Sequence, residues 1–226
     1  MVWSDRTVVG VTVGVILVAI INFFVPEWIR QIGLLSMAMG AAALGLLVLW
    51  RTGLISFGHA LYYGFSAYGV ALLNYLGLRD AFLLVIISAT MSGLLAWGLG
   101  FLVRRYRAIF FALLTMAFSM ILYGVLAKTE RFGSTDGLNI RPPTFFGYAP
   151  QDQAAQICLF LLGLAIIYFL MLGVQFYLRS VLGQMSMAVR ENEIRVEYLG
   201  YSVERVVHIK YVISGLLAGF GGAIMA

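Results

Sequence analysis

The chain has 226 residues, of which 62% are hydrophobic and 11% are charged, and its mean hydropathy is +0.96. A soluble domain is about 45–50% apolar and about 25% charged, and its surface-to-volume ratio forces many side chains into water. These figures exclude a soluble enzyme, a nucleic-acid-binding domain and a disordered chain, and they predict an all-α, polytopic membrane bundle. The net charge of +5 is the kind of excess that membrane topology produces. The single cysteine excludes a disulfide framework and a cysteine-based metal cluster.

Charged residues divide the chain into seven long uncharged runs. A membrane helix needs about 20 apolar residues to cross roughly 30 Å at 1.5 Å per residue. Six runs reach that length, and the seventh reaches it if it starts after Arg205 and includes His208 and Lys210. We therefore predict about seven spans, and the first is a retained helix because no small-x-small cleavage site follows it. The runs comprise residues 7–26, 31–50, 52–78, 81–103, 108–127, 153–178 and 211–226.

Positive charges are unequally distributed over the loops that seven spans create. With the N-terminus in the cytoplasm, ten Lys and Arg lie inside and five lie outside, while the ten acids divide equally. This distribution obeys the positive-inside rule and predicts a cytoplasmic N-terminus, although a re-entrant third span would change the parity. The inside set is Arg6, Arg51, Arg104, Arg105, Arg107, Arg179, Arg190, Arg195, Arg205 and Lys210, and the outside set is Arg30, Arg79, Lys128, Arg131 and Arg141.

Residues 51–69, which cover most of the third run, are unusually polar for a membrane span, with four glycines, one histidine, two serines and three tyrosines. A broken membrane helix leaves backbone N–H groups that must face protein or water, and such half-helix N-termini hold anionic substrate groups in transporters. One interpretation is that Ser56 to His59 open a short half-helix beside a translocation path. The alternative is close helix packing, with His59 hydrogen-bonded inside the bundle. The side chains expected along the path are Ser56, His59, Tyr63, Ser66 and Thr115.

The sequence lacks the residues that several classes of membrane protein require. No charged residue lies in the middle of a run, which argues against a pump or carrier driven by buried carboxylates or lysines. Lys128 and Lys210 lie near span ends, so neither suits a Schiff-base chromophore. His59 and His208 lack metal-ligand spacing. The sequence contains no G-x-x-x-x-G-K-[ST], so ATP-driven work would need another chain.

Two polar segments exceed ordinary turn length. Residues 128–155 contain G-S-T-D-G at 133–137 and a Pro-Pro pair, which predicts an external loop with turns. Residues 179–206 hold eight charges and no proline.

The second segment has a partial apolar face that predicts one cytoplasmic helix of about four turns at 184–199, which would either lie on the membrane surface or dock with a partner. Glu191 and Arg195 would form an i, i+4 pair, and Gly200 would end the helix.

Three blocks of sequence resemble the membrane permease of branched-chain amino acid ABC importers, and in particular the second permease subunit of the high-affinity importer. The first is G-L-I-S-F-G-H-A at 53–60 with A-Y at 67–68. The second is I-F-F-A-L-L-T-M-A-F at 109–118, followed by T-D-G-L and P-P in the loop at 135–143. The third is S-V-L-G-Q, A-V-R-E-N-E and L-G within 180–200, followed by the glycine-rich stretch 214–223. The third block is the most specific, because charge pattern and spacing agree.

The resemblance implies one transmembrane permease domain over 1–226, with 128–155 as an external loop and 179–206 as a coupling-helix segment. It implies import of branched-chain or related amino acids across a bacterial-type inner membrane. The implied partners are membrane lipid, a second permease in a heterodimer, two ATP-binding subunits and an extracytoplasmic binding protein, with no nucleic acid. The chain would be no enzyme and would hold no cofactor, because ATP and Mg²⁺ would be bound by the partner subunits. The implied docking residues are Gly183, Arg190, Glu191, Asn192, Glu193 and Gly200.

The chain also departs from the family pattern. Gln184 follows Gly183 where an arginine is common, and the chain stops at Ala226 where relatives continue, so we expect a truncated chain. A permease for urea or short amides and a passive channel for a small neutral solute remain alternatives. An intramembrane enzyme that uses His59 and Ser56 is a further alternative, ranked last.

Overall fold

The structure is a computed structural model that describes residues 6–129, 138, 140–150 and 152–226. The predicted turn at 133–137 lies outside the described residues, whose strand-like pairing is limited to two isolated bridges. An all-α bundle is therefore confirmed. The described residues form nine helices: α1 (Arg6–Ile21), α2 (Glu27–Trp50), α3 (His59–Tyr75), α4 (Ala81–Val103), α5 (Ala108–Lys128), α6 (Asp152–Arg179), α7 (Val181–Glu191), α8 (Glu193–Tyr198) and α9 (Val203–Met225).

Most of these helices have the length and composition of membrane spans. Among the described residues, five helices are long and apolar enough to cross a bilayer, namely α2, α4, α5, α6 and α9. Helices α1 and α3 have 16 and 17 residues, or about 25 Å each, and pack alongside the longer ones. The protein is a multi-pass membrane protein, and the predicted seven spans correspond to these five long helices and two shorter ones.

Helix α9 lies at the centre of the bundle, between α2, α3 and α4. Its glycines allow this position, because a Cβ at Gly221 would meet the backbone oxygen of Ala38 in α2. A Cβ at Gly222 would meet the backbone of Tyr63 in α3. Small residues let membrane helices approach until their backbones touch, so the glycine-rich end of the chain determines how the core packs.

Contacts between helices show that their directions alternate. Gly45 of α2 faces Ser214 of α9, and Ala38 faces Gly221, so the two helices are antiparallel. By the same type of contact, α3 runs parallel to α9 and antiparallel to α4. The start of α1 and the segments 51–58, 104–107 and 180–202 consequently lie on one side of the bundle.

We call this side the basic side, because it carries the ten Lys and Arg of the predicted inside set. The described members of the other set, Arg30, Arg79, Lys128 and Arg141, lie at the opposite ends of the helices or in the connections there. The third run passes from the basic side to the opposite side as one helix. The loops that follow it therefore lie on the sides of the bundle that seven spans predict.

The single cytoplasmic helix predicted at 184–199 is wrong, since the segment forms α7 and α8 with a break at Asn192. Asn192 has extended backbone angles (φ −160°, ψ 101°), and its Oδ1 accepts a hydrogen bond of 3.1 Å from the N–H of Arg195. Asparagine favours this N-cap position over a helix interior. The break also puts Glu191 and Arg195 in different helices, so they are not an i, i+4 pair. Gly200 (φ +85°) ends α8 as predicted.

Candidate functional site

The connection between α2 and α3 is the first feature of the site. Residues 51–58 form turns and coil, and α3 starts at His59. His59 packs beside Gly45, which lies five residues before the end of α2 at Trp50, or about 7 Å inside the bundle. The connection therefore dips into the bundle. Helix α3 begins where the half-helix hypothesis expected, but its 17 residues make it nearly a full crossing.

His59 joins three helices at this point. Its Nε2 lies 2.6 Å from Ser214 Oγ, and Ser214 Oγ donates a bond of 2.7 Å to the carbonyl oxygen of Gly45. Because the Ser214 proton goes to Gly45, Nε2 of His59 carries the proton that it donates to Ser214. His59 is only 7% exposed. This arrangement matches the packing alternative, and a role for His59 as a substrate ligand stays a prediction.

Ser56 and Thr115 hold the residues just before α3. Ser56 Oγ accepts a bond of 3.1 Å from the N–H of Gly58. Thr115 Oγ1 accepts one of 3.3 Å from the N–H of Phe57 and donates to the carbonyl oxygen of Ala112. Both side chains are buried. Thr115 holds the connection against α5, and Ser56 supplies a partner within the connection for the N–H of Gly58, one of the groups that a helix start leaves unpaired.

Tyr63 and Ser66 differ from the other predicted path residues. The Ser66 side chain is fully buried, and neither its hydroxyl nor that of Tyr63 has a hydrogen-bond partner among the described residues. Ser88 of the neighbouring α4 shares this property. The five predicted residues thus divide into three that hold the start of α3 and two with unpaired buried hydroxyls. Their role in a substrate path stays a prediction.

A groove between α3 and α5 was not predicted from the sequence. It encloses a cavity of about 380 Å³, which falls within the range of small-molecule sites. A Cβ at Gly64 would meet no atom within 4 Å, so the two helices do not touch there. The lining residues recur every four positions on both helices, a spacing that puts them on one face. They are Ala60, Gly64 and Tyr68 of α3, with Ser119, Leu122, Tyr123, Leu126 and Ala127 of α5.

Helix α7 is anchored to the ends of the membrane helices. A Cβ at Gly183 would meet the backbone of Tyr177 at the end of α6. The Arg190 guanidinium lies 5.5 Å from the centre of the Trp50 ring at the end of α2, a cation–π distance. These contacts indicate that Gly183 and Arg190, both predicted to dock a partner, also hold α7 against the bundle.

Lys210 provides a third anchor for α7. Its side chain is fully buried near the start of α9, and its Nζ donates to Ser186 Oγ of α7. The Tyr177 ring lies 5.5 Å from the same Nζ. Lys210 lies near a span end as predicted, but its side chain is buried there because α7 folds over this end of α9.

Helix α8 exposes an apolar surface on the basic side. Ile194, Tyr198 and Leu199 are 63%, 87% and 75% exposed, and we call these three side chains the α8 knob. Glu191 beside them is also exposed, whereas Glu193 turns back and pairs with Arg107 at 2.7 Å. Clusters of exposed apolar side chains mark a contact surface for a protein or for a membrane. The docking residues predicted from the sequence are glycines and polar residues of this segment and do not include these apolar side chains.

Comparisons with known proteins identify the family of this chain. Residues 28–226 match the family described as "Branched-chain amino acid transport system / permease component". The chain is 30% identical over 229 residues to the high-affinity branched-chain amino acid transport system permease protein LivM of Escherichia coli K12, with 90% of this chain and 53% of that protein covered. The LivM of Salmonella typhimurium LT2 is 30% identical over 232 residues, with the same coverages. The chain thus spans about half the length of the curated relatives it matches. No solved structure matches it significantly.

Proposed function

Because this chain belongs to the branched-chain amino acid transport permease family, we propose that it forms the membrane path of an ATP-driven importer for branched-chain or related amino acids. The observation that carries the proposal is the α7–α8 segment. It is anchored on the ends of α2, α6 and α9 and leaves the side chains of the α8 knob exposed. A permease that performs no ATP hydrolysis needs such a surface to receive work from another subunit.

The basic side is the cytoplasmic side in this proposal. It carries the ten Lys and Arg of the predicted inside set, and positive residues favour the cytoplasmic face of a bacterial-type inner membrane. The N-terminus and the α7–α8 segment then lie in the cytoplasm, where ATP is available. The opposite side receives the amino acid from an extracytoplasmic binding protein.

The α8 knob is the proposed docking site for an ATP-binding subunit, one of two in the complex. Its three apolar side chains supply the area that a stable contact buries, and Arg190 and Glu191, which are also exposed, supply charges for the same contact. Gly183, Asn192 and Gly200 shape the segment rather than contact the partner. ATP and Mg²⁺ are held by the partner subunits.

The groove between α3 and α5 is the proposed translocation path. Hydroxyls of Tyr68, Ser119 and Tyr123 suit the charged ends of a small zwitterion, and Leu122 and Leu126 suit its aliphatic side chain. The groove is open on one side, so one chain forms only part of a path. A second, related permease would close it, as the proposed heterodimer requires.

Reconstitution tests this function. The permease is assembled in proteoliposomes with a second permease, the ATP-binding subunits and the binding protein, and uptake of radiolabelled leucine is measured. We expect accumulation that requires both ATP and the binding protein. Uptake of leucine by the permease alone without ATP would contradict the proposal and favour a passive channel. ATP-dependent uptake of urea in place of leucine would contradict the proposed substrate class.

A further inference from the structure

One ion pair joins α8 to the corner between α4 and α5. Arg107 Nε lies 2.7 Å from Glu193 Oε1, and the two side chains are 27% and 39% exposed. The same guanidinium donates to the backbone oxygens of Arg104 and Tyr106. Charge-assisted bonds of this length are stronger than neutral ones, and the additional bonds hold Arg107 in one position. The pair is therefore a defined link and not a loose surface contact.

The link attaches at the very start of α5. Arg107 is the N-cap residue of that helix, and the next residue, Ala108, has a φ of +50°. The left-handed region is unfavourable for alanine, so the corner is held in place by its surroundings. Because the backbone here does not continue the geometry of α4, α5 can tilt without moving α4.

Helix α5 is also buried most deeply near this end, although Phe118 and Leu122 farther along it are partly buried against the core. Its fully buried residues are Phe111, Ala112 and Thr115, all within its first eight residues. Beyond Thr115 the groove separates α5 from α3. At 1.5 Å per residue, Arg107 lies about 9 Å before the middle of this anchor and Tyr123 about 15 Å beyond it. A shift of 1 Å at Arg107 would thus move Tyr123 by about 1.7 Å in the opposite direction.

We propose that the Arg107–Glu193 pair transmits movement of the α7–α8 segment to α5 and so changes the width of the α3–α5 groove. This inference rests on the proposed function and deepens it. Arg107 and Glu193 act as positioning residues, since neither lines the groove. The break at Asn192 contributes to this transmission of movement. It lets Glu193 turn toward the bundle while the α8 knob faces away from the bundle.

A second ion pair at the same corner supplies a matched control. Glu204 at the start of α9 lies 3.3 Å from Arg104 and 3.9 Å from Arg105. These contacts join α4 to α9, which already pack closely where Gly100 faces His208. Removing the Glu204 charge therefore removes an ion pair between α4 and α9 but keeps the Arg107–Glu193 pair at the start of α5.

The test compares Glu193→Gln with Glu204→Gln in the complete reconstituted complex. We measure leucine imported per ATP hydrolysed, together with the thermal stability of each complex. Loss of the Arg107 link is expected to lower import per ATP by about two- to five-fold, the range that corresponds to a partly exposed ion pair. Glu204→Gln should leave the ratio unchanged. The charge exchange Arg107→Glu with Glu193→Arg should restore it.

A distance measurement provides a second readout. Cys158 is replaced so that it takes up no label, and spin-labelled cysteines are introduced at two exposed positions, Tyr75 of α3 and Val125 of α5. The distance between the two labels reports the separation of the two helices. We expect ATP to change this separation in the unmodified complex and in Glu204→Gln but not in Glu193→Gln.

The outcomes separate the link from the function. If the unmodified complex shows ATP-dependent uptake and Glu193→Gln keeps both the import ratio and the change in distance, the link is refuted and the proposed function stands. An equal loss in Glu204→Gln also refutes the link. Absence of ATP-dependent uptake in the unmodified complex refutes the proposed function and the link together.

Discussion

The contact among His59, Ser214 and Gly45 predicts a specific stability effect. Ser214→Ala removes two interhelical hydrogen bonds, of 2.6 Å and 2.7 Å, from a site where Ser214 is 1% exposed. Hydrogen bonds between membrane helices contribute about 0.6 kcal/mol on average and at most about 1.7 kcal/mol. We therefore expect Ser214→Ala to lower the free energy of unfolding by about 1–3 kcal/mol. His59→Phe should cost less through lost hydrogen bonding, because the bond from Ser214 to Gly45 survives.

The assay is unfolding in mixed micelles with increasing SDS, followed by helical circular dichroism. Ser36→Ala is the matched control, because Ser36 is exposed and its hydroxyl bonds only within its own helix, to Ile32. We expect this control to lie within about 0.5 kcal/mol of the unmodified protein. If Ser214→Ala unfolds at the same SDS fraction as Ser36→Ala, the packing role of His59 is refuted. If His59→Phe instead raises the KM for the transported substrate without loss of stability, the role of His59 as a substrate ligand is favoured.

Two further predictions concern the core and the docking surface. Gly222→Ala should destabilise the bundle by about 1–3 kcal/mol or more, because its Cβ would meet the backbone of Tyr63. Gly124→Ala is the control and should not destabilise it, since a Cβ there meets nothing within 4 Å. SDS unfolding of both variants checks this, and equal unfolding midpoints would contradict the close approach of α3 and α9. Tyr198→Ser should release the ATP-binding subunits during affinity purification of the complex. Val181→Ser, a change at another exposed apolar side chain of the same segment, should not release them. If both variants retain the ATP-binding subunits, docking at the α8 knob is contradicted.

The spans, and the set of Lys and Arg that share one side of the bundle, could be predicted because both depend on local composition. The uncharged runs and the positions of Lys and Arg are properties of short stretches of chain. The role of His59 could not be decided in this way. Its partner Ser214 is 155 residues away, and the sequence left both packing and substrate binding open at that position.

The remaining differences arise from contacts between distant helices. The break at Asn192 was missed because the partial apolar pattern continues across it, while the pairing of Glu193 with Arg107 comes from another part of the chain. Lys210 is buried only because α7 folds over it. The groove depends on the pairing of α3 with α5. The four-residue spacing of Ala60, Gly64 and Tyr68 was visible in the sequence, but nothing local identified the helix opposite.

The central claim is that the α3–α5 groove is the path of an ATP-driven permease, and substitution of Gly64 tests it most directly. A Cβ at Gly64 or at Gly98 meets no atom within 4 Å, but only Gly64 lines the groove. ATP-driven leucine uptake is measured for Gly64→Trp and Gly98→Trp in the reconstituted complex, with ATP hydrolysis and thermal stability recorded for both. We predict that Gly64→Trp reduces uptake to background while hydrolysis and stability persist, and that Gly98→Trp transports normally. Normal uptake by a stable Gly64→Trp complex would contradict the account.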